Sequence, residues 1–209
     1  MKIAVVADTH CPEFSARLPP RLLEHLAGVD LIIHCGDVGG EGGESTLAQL
    51  QALAPVEAVR GDHDRALAGL PLRLQLEFEG ARIGVVHGNR SHLIEEPATL
   101  MGTLSLGHWW PRAGLTRWLQ GQFPQAQVVL YGHTHFARRE QRGRQLVFNP
   151  GAVYVVTPEE AKARLRARPN WFDWCWLQVI RHRRDRPRPS FGLLQISRGE
   201  ITASVVGLD

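Results

Sequence analysis

The stretch Lys2-Ile3-Ala4-Val5-Val6-Ala7-Asp8-Thr9-His10 holds five consecutive apolar residues that run into a polar cluster. A short apolar run of this kind, bounded by polar residues, reads as a strand. The pattern then repeats. Leu31 to His34 leads into Cys35-Gly36-Asp37, and Val56 to Val59 leads toward Gly61-Asp62-His63-Asp64. Helix-like segments, Arg17 to Ala27 and Gly43 to Ala54, fill the intervals. This is the strand-helix-strand rhythm of an α/β fold. Each polar cluster falls at the carboxyl end of a strand, the edge where such folds build their sites.

Beyond Asp64 the pattern changes. Leu72 to Phe78 and Arg82 to Val86 alternate apolar and polar residues around Glu79-Gly80, a hairpin that begins a second sheet. Gln127 to Tyr131 leads into Gly132-His133-Thr134-His135, and Gln145 to Phe148 leads into Asn149-Pro150-Gly151. Phe191 to Ser197 and Ile201 to Val206 form a closing hairpin around Arg198-Gly199-Glu200. Two facing sheets with outer helices accommodate these elements.

Two segments depart from that scheme and read as insertions in a single domain of residues 1–209. The first, 89–122, carries His92, His108, Trp109 and Trp110, with a helix expected near Ala113 to Leu119. The second, 157–189, carries Trp171, Trp174 and Trp176. It opens on a helix, Pro158 to Arg168, whose early glutamates and late arginines complement the helix dipole. Pro158 to Ser190 holds nine Lys/Arg against four Asp/Glu, while the rest of the chain is slightly acidic. Arginines among tryptophans suit a nucleic-acid surface, and the same spacing of tryptophans suits a face packed on the core or on a partner subunit, a homo-oligomer included.

The composition, 44% hydrophobic and 22% charged, is that of an ordinary globular protein. No stretch reaches the roughly 18 apolar residues of a membrane span, and the opening apolar run is too short for a signal sequence. Three cysteines without CxxC spacing suggest neither a disulfide framework nor a thiolate zinc site. The expectation is a cytoplasmic protein with no membrane partner.

The chemistry gathers in Asp8, His10, Asp37, Asp62, His87, His133 and His135. Asp8/His10 and His133/His135 are each two residues apart, so in extended backbone both members of a pair face the same way. Asp37 and Asp62 follow the preceding site positions by 27 and 25 residues, about one strand-helix repeat. Carboxylates mixed with imidazoles suit a divalent transition metal better than Ca²⁺. Seven ligands exceed one tetrahedral site and suit two ions roughly 4 Å apart that share a carboxylate. Arg90 and His92 follow His87 closely enough to reach a substrate phosphate.

In order, the blocks Asp8-Thr9-His10, Gly36-Asp37, Gly61-Asp62-His63-Asp64, His87-Gly88 and Gly132-His133-Thr134-His135 resemble the calcineurin-like metallophosphoesterase superfamily. The short length, the Asn149-Pro150-Gly151 turn and the final hairpin are similar to its small bacterial and archaeal phosphodiesterase branch, which also contains the retromer scaffold subunit. The resemblance covers about 1–87, 127–156 and the last twenty residues, leaving both insertions outside it. It implies a four-layer α/β/β/α sandwich of two facing mixed sheets with outer helices.

The same resemblance implies that Asp8, His10 and His135 bind a first metal, that Asp37 bridges, and that Asp62, His87 and His133 bind a second. Manganese is the expected ion, with iron, zinc or nickel as alternatives. His63, oriented by Asp64, would act beside the scissile phosphate while a hydroxide held by the metals attacks in line. Asp62 stands where the family pattern usually has asparagine, which adds negative charge. The expected activity is hydrolysis of a phosphodiester of a nucleotide or small organic phosphate. A phosphomonoesterase, or a non-catalytic scaffold or nucleic-acid-binding protein on the same fold, are the alternatives.

Overall fold

The first strand, β1 (Lys2–Val6), is hydrogen-bonded on both sides, and its sequence is apolar without alternation because both of its faces are covered. It pairs in parallel with β2 (Leu31–His34), Val5 opposite Ile33, and β2 pairs in parallel with β3 (Val56–Ala58). On its other side it meets β9 (Ser190–Ser197) antiparallel, with β10 (Glu200–Gly207) at the edge, giving the order β10-β9-β1-β2-β3. The computed structural model describes residues 1–105, 114–183 and 185–209, apart from the side chain of His92. His108, Trp109, Trp110 and the expected helix start at Ala113 lie outside the described residues.

In the second sheet β5 (Ala81–Val86), β6 (Val128–Leu130) and β8 (Gln145–Asn149) are parallel, and β4 (Arg73–Phe78) and β7 (Arg138–Arg142) run antiparallel at the two edges. The order is β4-β5-β6-β8-β7. Both sheets are therefore mixed. The β4–β5 hairpin turns at Glu79 and Gly80, both at positive φ, as a tight two-residue hairpin requires. β7 has the sequence Arg-Arg-Glu-Gln-Arg and no apolar alternation, so nothing in its sequence marks it as a strand. It forms because β8 offers it an edge. Glu140 is ion-paired to Arg138 and Arg142 on the same face, and the charges keep that edge from pairing further.

Period-two alternation decides the core. Ile3, Val5 and Ile33 face Ile83, Val85, Leu130 and Phe148 of the second sheet, forming the apolar layer between the sheets. Ala4, Val6 and Ile32 point the other way, against Leu22 and Leu26 of α1 (Pro20–Leu26) and Leu50 of α2 (Gly43–Gln51). Beyond the second sheet, α4 (Leu115–Gln122) is followed by Phe123, whose ring covers Gly84. The result is the expected α/β sandwich of two facing mixed sheets with outer helices. α1 begins three residues later than expected, because Pro20 sits at its first turn and forces Pro19 into extended backbone.

The chain divides into two compact units, one of residues 1–88, 116–154 and 187–209 that contains both sheets, and another of residues 89–115 and 155–186. The second unit is helical among its described residues: α3 (His92–Leu104), α5 (Pro158–Arg166) and α6 (Trp171–His182). Pro97 in the middle of α3 obscures that helix in the sequence. α5 follows its charge pattern, with Thr157 Oγ1 accepting the Glu160 N–H as a cap and Glu160 paired to Arg164 at 2.8 Å. α6 is capped by Asn170, and its buried residues are Cys175, Leu177 and Val179. Trp171 and Trp174 are instead exposed, their rings stacked at 5.8 Å. No described helix is long and apolar enough to cross a membrane.

Candidate metal centre

Five parallel strands aim their carboxyl ends at one place in the sheet-bearing unit. Asp8 and His10 follow β1, Asp37 follows β2, Asp62 follows β3, His87 follows β5, and His133 and His135 follow β6. The loops are laced together by backbone bonds. Asp8 N–H donates to Gly36 O, His10 N–H to Asp37 O, and Gly132 N–H to His87 O.

The local backbone is not the extended one expected of the paired ligands. Asp8, His10, Asp37, His133 and His135 all have positive φ, between 44° and 63°. Such a conformation costs a residue with a Cβ about 1 kcal/mol or more, and strain of this kind collects where the fold aims side chains at a site. The pairs converge because the chain turns sharply past each strand end, and not because strand pleating puts them on one face.

Ligand atoms of Asp8, His10 and His135 lie within 4.8 Å of one another, as do those of Asp62, His87 and His133. Asp37 stands between these groups, its Oδ2 3.6 Å from His10 Nε2 and 3.3 Å from His87 Nε2. Asp62 Oδ1 is 2.8 Å from His87 Nε2 and 3.3 Å from His133 Nδ1.

Whether these residues fit a metal is decided by their orphan atoms. His87 is buried, and its Nδ1 donates to Cys35 O at 2.8 Å, so the lone pair of the neutral ring is on Nε2. Among the described residues that atom has no hydrogen-bond partner, although two carboxylate oxygens face it. A lone pair against two anions is unstable without a cation between them, and the ring is accordingly held well above its ordinary pKa, against its burial, by Asp37 and Asp62. Asp8 Oδ1 accepts the His133 N–H, whereas its buried Oδ2 has no hydrogen-bond partner among the described residues. Burial pushes Asp8 up to about 7. Asp37 and Asp62 are pushed up by burial, yet the neighbouring imidazoles outweigh it and hold both below the usual carboxylate range. A cation replaces the proton that such a cluster otherwise takes up, so the donor set fits divalent metal.

His63 and Asp64 part company. The expected orientation of His63 by Asp64 is corrected by the geometry. The Asp64 carboxylate is buried and accepts backbone N–H groups of Val38, Gly39 and Gly61 at 2.9–3.2 Å. His63 Nδ1 donates instead to Glu13 Oε1 at 3.0 Å, and its backbone N–H donates to Asp37 Oδ1. Burial lowers the His63 pKa, but the Glu13 hydrogen bond and the nearby Asp37 raise it to about 9. Glu13 itself falls to about 2 despite its burial, through hydrogen bonds from His10 and His63.

Sequence reasoning missed Glu13, an isolated acid three residues past the ligand His10 with no motif around it. It also missed His34, whose Nδ1 accepts the Gly36 N–H while Nε2 lies 3.0 Å from Thr9 Oγ1. Arg90 belongs to the helical unit, where its Nε donates to Glu95 at 2.9 Å. His92 opens α3, and its side chain lies outside the described residues.

The profile of the calcineurin-like phosphoesterase superfamily domain matches residues 1–165. A probable metallophosphoesterase of Methanothermobacter thermautotrophicus is 31% identical over 156 residues, covering 74% of this chain and 78% of that one. A second, from Methanocaldococcus jannaschii, is 33% identical and covers 74% and 69%. Among solved structures, zinc-complexed Vps29 from Entamoeba histolytica shares the fold over the whole of both chains, with a TM-score of 0.64 and 22% identity. With a family match over most of the chain and archaeal relatives above 30% identity, this protein belongs to the calcineurin-like phosphoesterase superfamily.

Proposed function

We propose that the protein is a dinuclear metal-dependent phosphodiesterase acting on a nucleotide or another small organic phosphate. The observation that carries this reading is Asp37 Oδ2, which lies within 3.6 Å of imidazoles from both ligand groups. Asp8, His10 and His135 would hold one ion, Asp62, His87 and His133 the other, and Asp37 would serve both. Manganese is our first choice, because mixed carboxylate and imidazole donors suit it. Divalent ions supply Lewis acidity toward phosphoryl oxygens and water. His63, exposed and hydrogen-bonded through Nδ1 to Glu13, would give a proton to the leaving oxygen.

Two divalent ions against the three carboxylates Asp8, Asp37 and Asp62 leave one net positive charge, which attracts the anionic phosphate of either ester, and the preference for a diester rests on the resemblance to the small phosphodiesterase branch. The three cysteines are all free and buried, in keeping with a reducing, cytoplasmic setting.

The test uses metal-stripped protein titrated with Mn²⁺ and assayed on bis(4-nitrophenyl) phosphate and 4-nitrophenyl phosphate. The expected result is Mn²⁺-dependent turnover, faster on the diester and abolished in His133→Ala. Faster monoester turnover would replace the diester assignment. The likeness to Vps29 favours a second reading, a metal-binding scaffold without turnover, since fold alone does not fix function. Tight Mn²⁺ binding with no hydrolysis of any phosphoester would establish that reading instead.

A further inference from the structure

We infer that Glu13 is a positioning residue that fixes, with one carboxylate, both a metal ligand and the group facing the substrate. The inference rests on the phosphodiesterase reading above. Glu13 Oε2 lies 3.3 Å from His10 Nδ1, and Glu13 Oε1 lies 3.0 Å from His63 Nδ1. A carboxylate only accepts hydrogen bonds, so both rings must donate from Nδ1. Each ring is thereby left with Nε2 for other work. In His10 that atom faces Asp37 Oδ2 and the ligand cluster with Asp8 and His135. In His63 it is the remaining polar atom of a part-exposed ring.

The two imidazoles are also locked against each other, edge to face at 4.8 Å. Phe14, next in sequence to Glu13, flanks both rings at 5.1 and 5.6 Å, so neither can turn freely away from the carboxylate. Glu13 thus does for His63 what the adjacent Asp64 does not, because the Asp64 carboxylate bonds backbone amides of Val38, Gly39 and Gly61. Partners that orient a ligating imidazole tune metal affinity, and a general acid works only while its ring is held in place.

The experiment measures two readouts on Glu13→Ala in the full chain. Calorimetric titration with Mn²⁺ should show one site weakened by about tenfold. With methyl phenyl phosphate, whose leaving group needs a proton, kcat/KM should fall by about tenfold or more, and with methyl 4-nitrophenyl phosphate by less than about threefold. At saturating Mn²⁺ in a His63→Ala background, Glu13→Ala should cause no further loss on the phenyl ester, yet titration should still show the ion weakened. Unchanged Mn²⁺ affinity, equal losses on the two esters, or losses that add to those of His63→Ala would each overturn the inference. Glu13→Gln, which can accept from one ring only, should shift at least one readout in the same direction, and no shift in either overturns the inference even if the alanine variant does not fold. Wild-type protein inert on every phosphoester would refute the hydrolytic reading, and the Mn²⁺ titration would then decide the role of Glu13 by itself.

Discussion

The Asp64 carboxylate accepts the Val38 backbone N–H at 2.9 Å, and this bond ties together the loops that carry Asp37 and Asp62. The same carboxylate also takes the Gly39 and Gly61 amides, all of it buried. An asparagine there would keep the shape but turn a donor toward N–H groups. Asp64→Asn should therefore lower the unfolding free energy by about 2–4 kcal/mol, read from urea denaturation at neutral pH. A loss within experimental error would mean that the two loops do not depend on this clamp.

Gly61 leaves room for the shared carboxylate. A Cβ at this position would meet Asp37 Oδ1 and the Asp37 backbone nitrogen, so neither a rotamer change nor a small shift relieves the clash. Gly61→Ala should weaken Mn²⁺ binding at both sites by about tenfold or more, measured by calorimetric titration. Wild-type affinity in that variant would show that Asp37 is not held against Gly61.

His34 should make the fold acid-sensitive. Thr9 Oγ1 donates to Val38 O, so it accepts from the His34 Nε2–H, and Nδ1 accepts from Gly36. Both ring positions are thus used by the neutral form. Burial, against the pull of Asp64 and Asp37, lowers this ring from 6.5 to about 4. Above about 6.5 neither the folded nor the unfolded chain protonates His34, and its contribution is fully present. As pH falls from about 6.5 to 4, the unfolded chain takes up a proton that the folded one refuses, and stability drops by about 1.4 kcal/mol per unit. Urea denaturation at pH 7 and pH 4.5 should show the gap between wild type and His34→Gln narrowing on acidification. An unchanged gap would rule out this proton linkage.

Asp62 places an additional negative charge beside His87 and His133 where the family pattern has asparagine. At roughly 5 Å in a water-like dielectric, one charge acts on an anion with about 0.8 kcal/mol. Asp62→Asn should therefore lower KM for bis(4-nitrophenyl) phosphate by about fourfold at low ionic strength, with a smaller change at high salt. An increase in KM would show that Asp62 matters more for holding its ion than for repelling substrate.

Trp171 and Trp174 stack on each other in the open, while Cys175, Leu177 and Val179 are the buried residues of α6. Replacing both tryptophans with alanine should change the unfolding free energy by less than about 1 kcal/mol, since exposed positions rarely contribute more. Fluorescence titration with single-stranded DNA over a range of salt concentrations tests the nucleic-acid partner expected from the basic sequence around them. Salt-steep binding lost in the double variant supports that partner, and no binding removes it.

Most of the strands, and the edge at which they deliver polar residues, were legible in the residues alone. Short apolar runs such as Ile3 to Ala7, bounded by polar residues and set between helical segments, read as strands, and Asp8, Asp37, His87 and His133 follow the ends of such runs. What lies beyond local pattern depends on contacts between distant elements. β7 has no apolar residue and becomes a strand because β8 has an open edge, and α3 forms despite Pro97. The left-handed turns that converge the ligand pairs carry no marker in residue type, since Asp and His tolerate that backbone without requiring it. The exchange of partners, Glu13 for His63 and backbone amides for Asp64, depends on distances between loops 25 to 50 residues apart. Adjacency in sequence could suggest the pair His63-Asp64, but hydrogen bonds are made in space, and in space Glu13 is nearer.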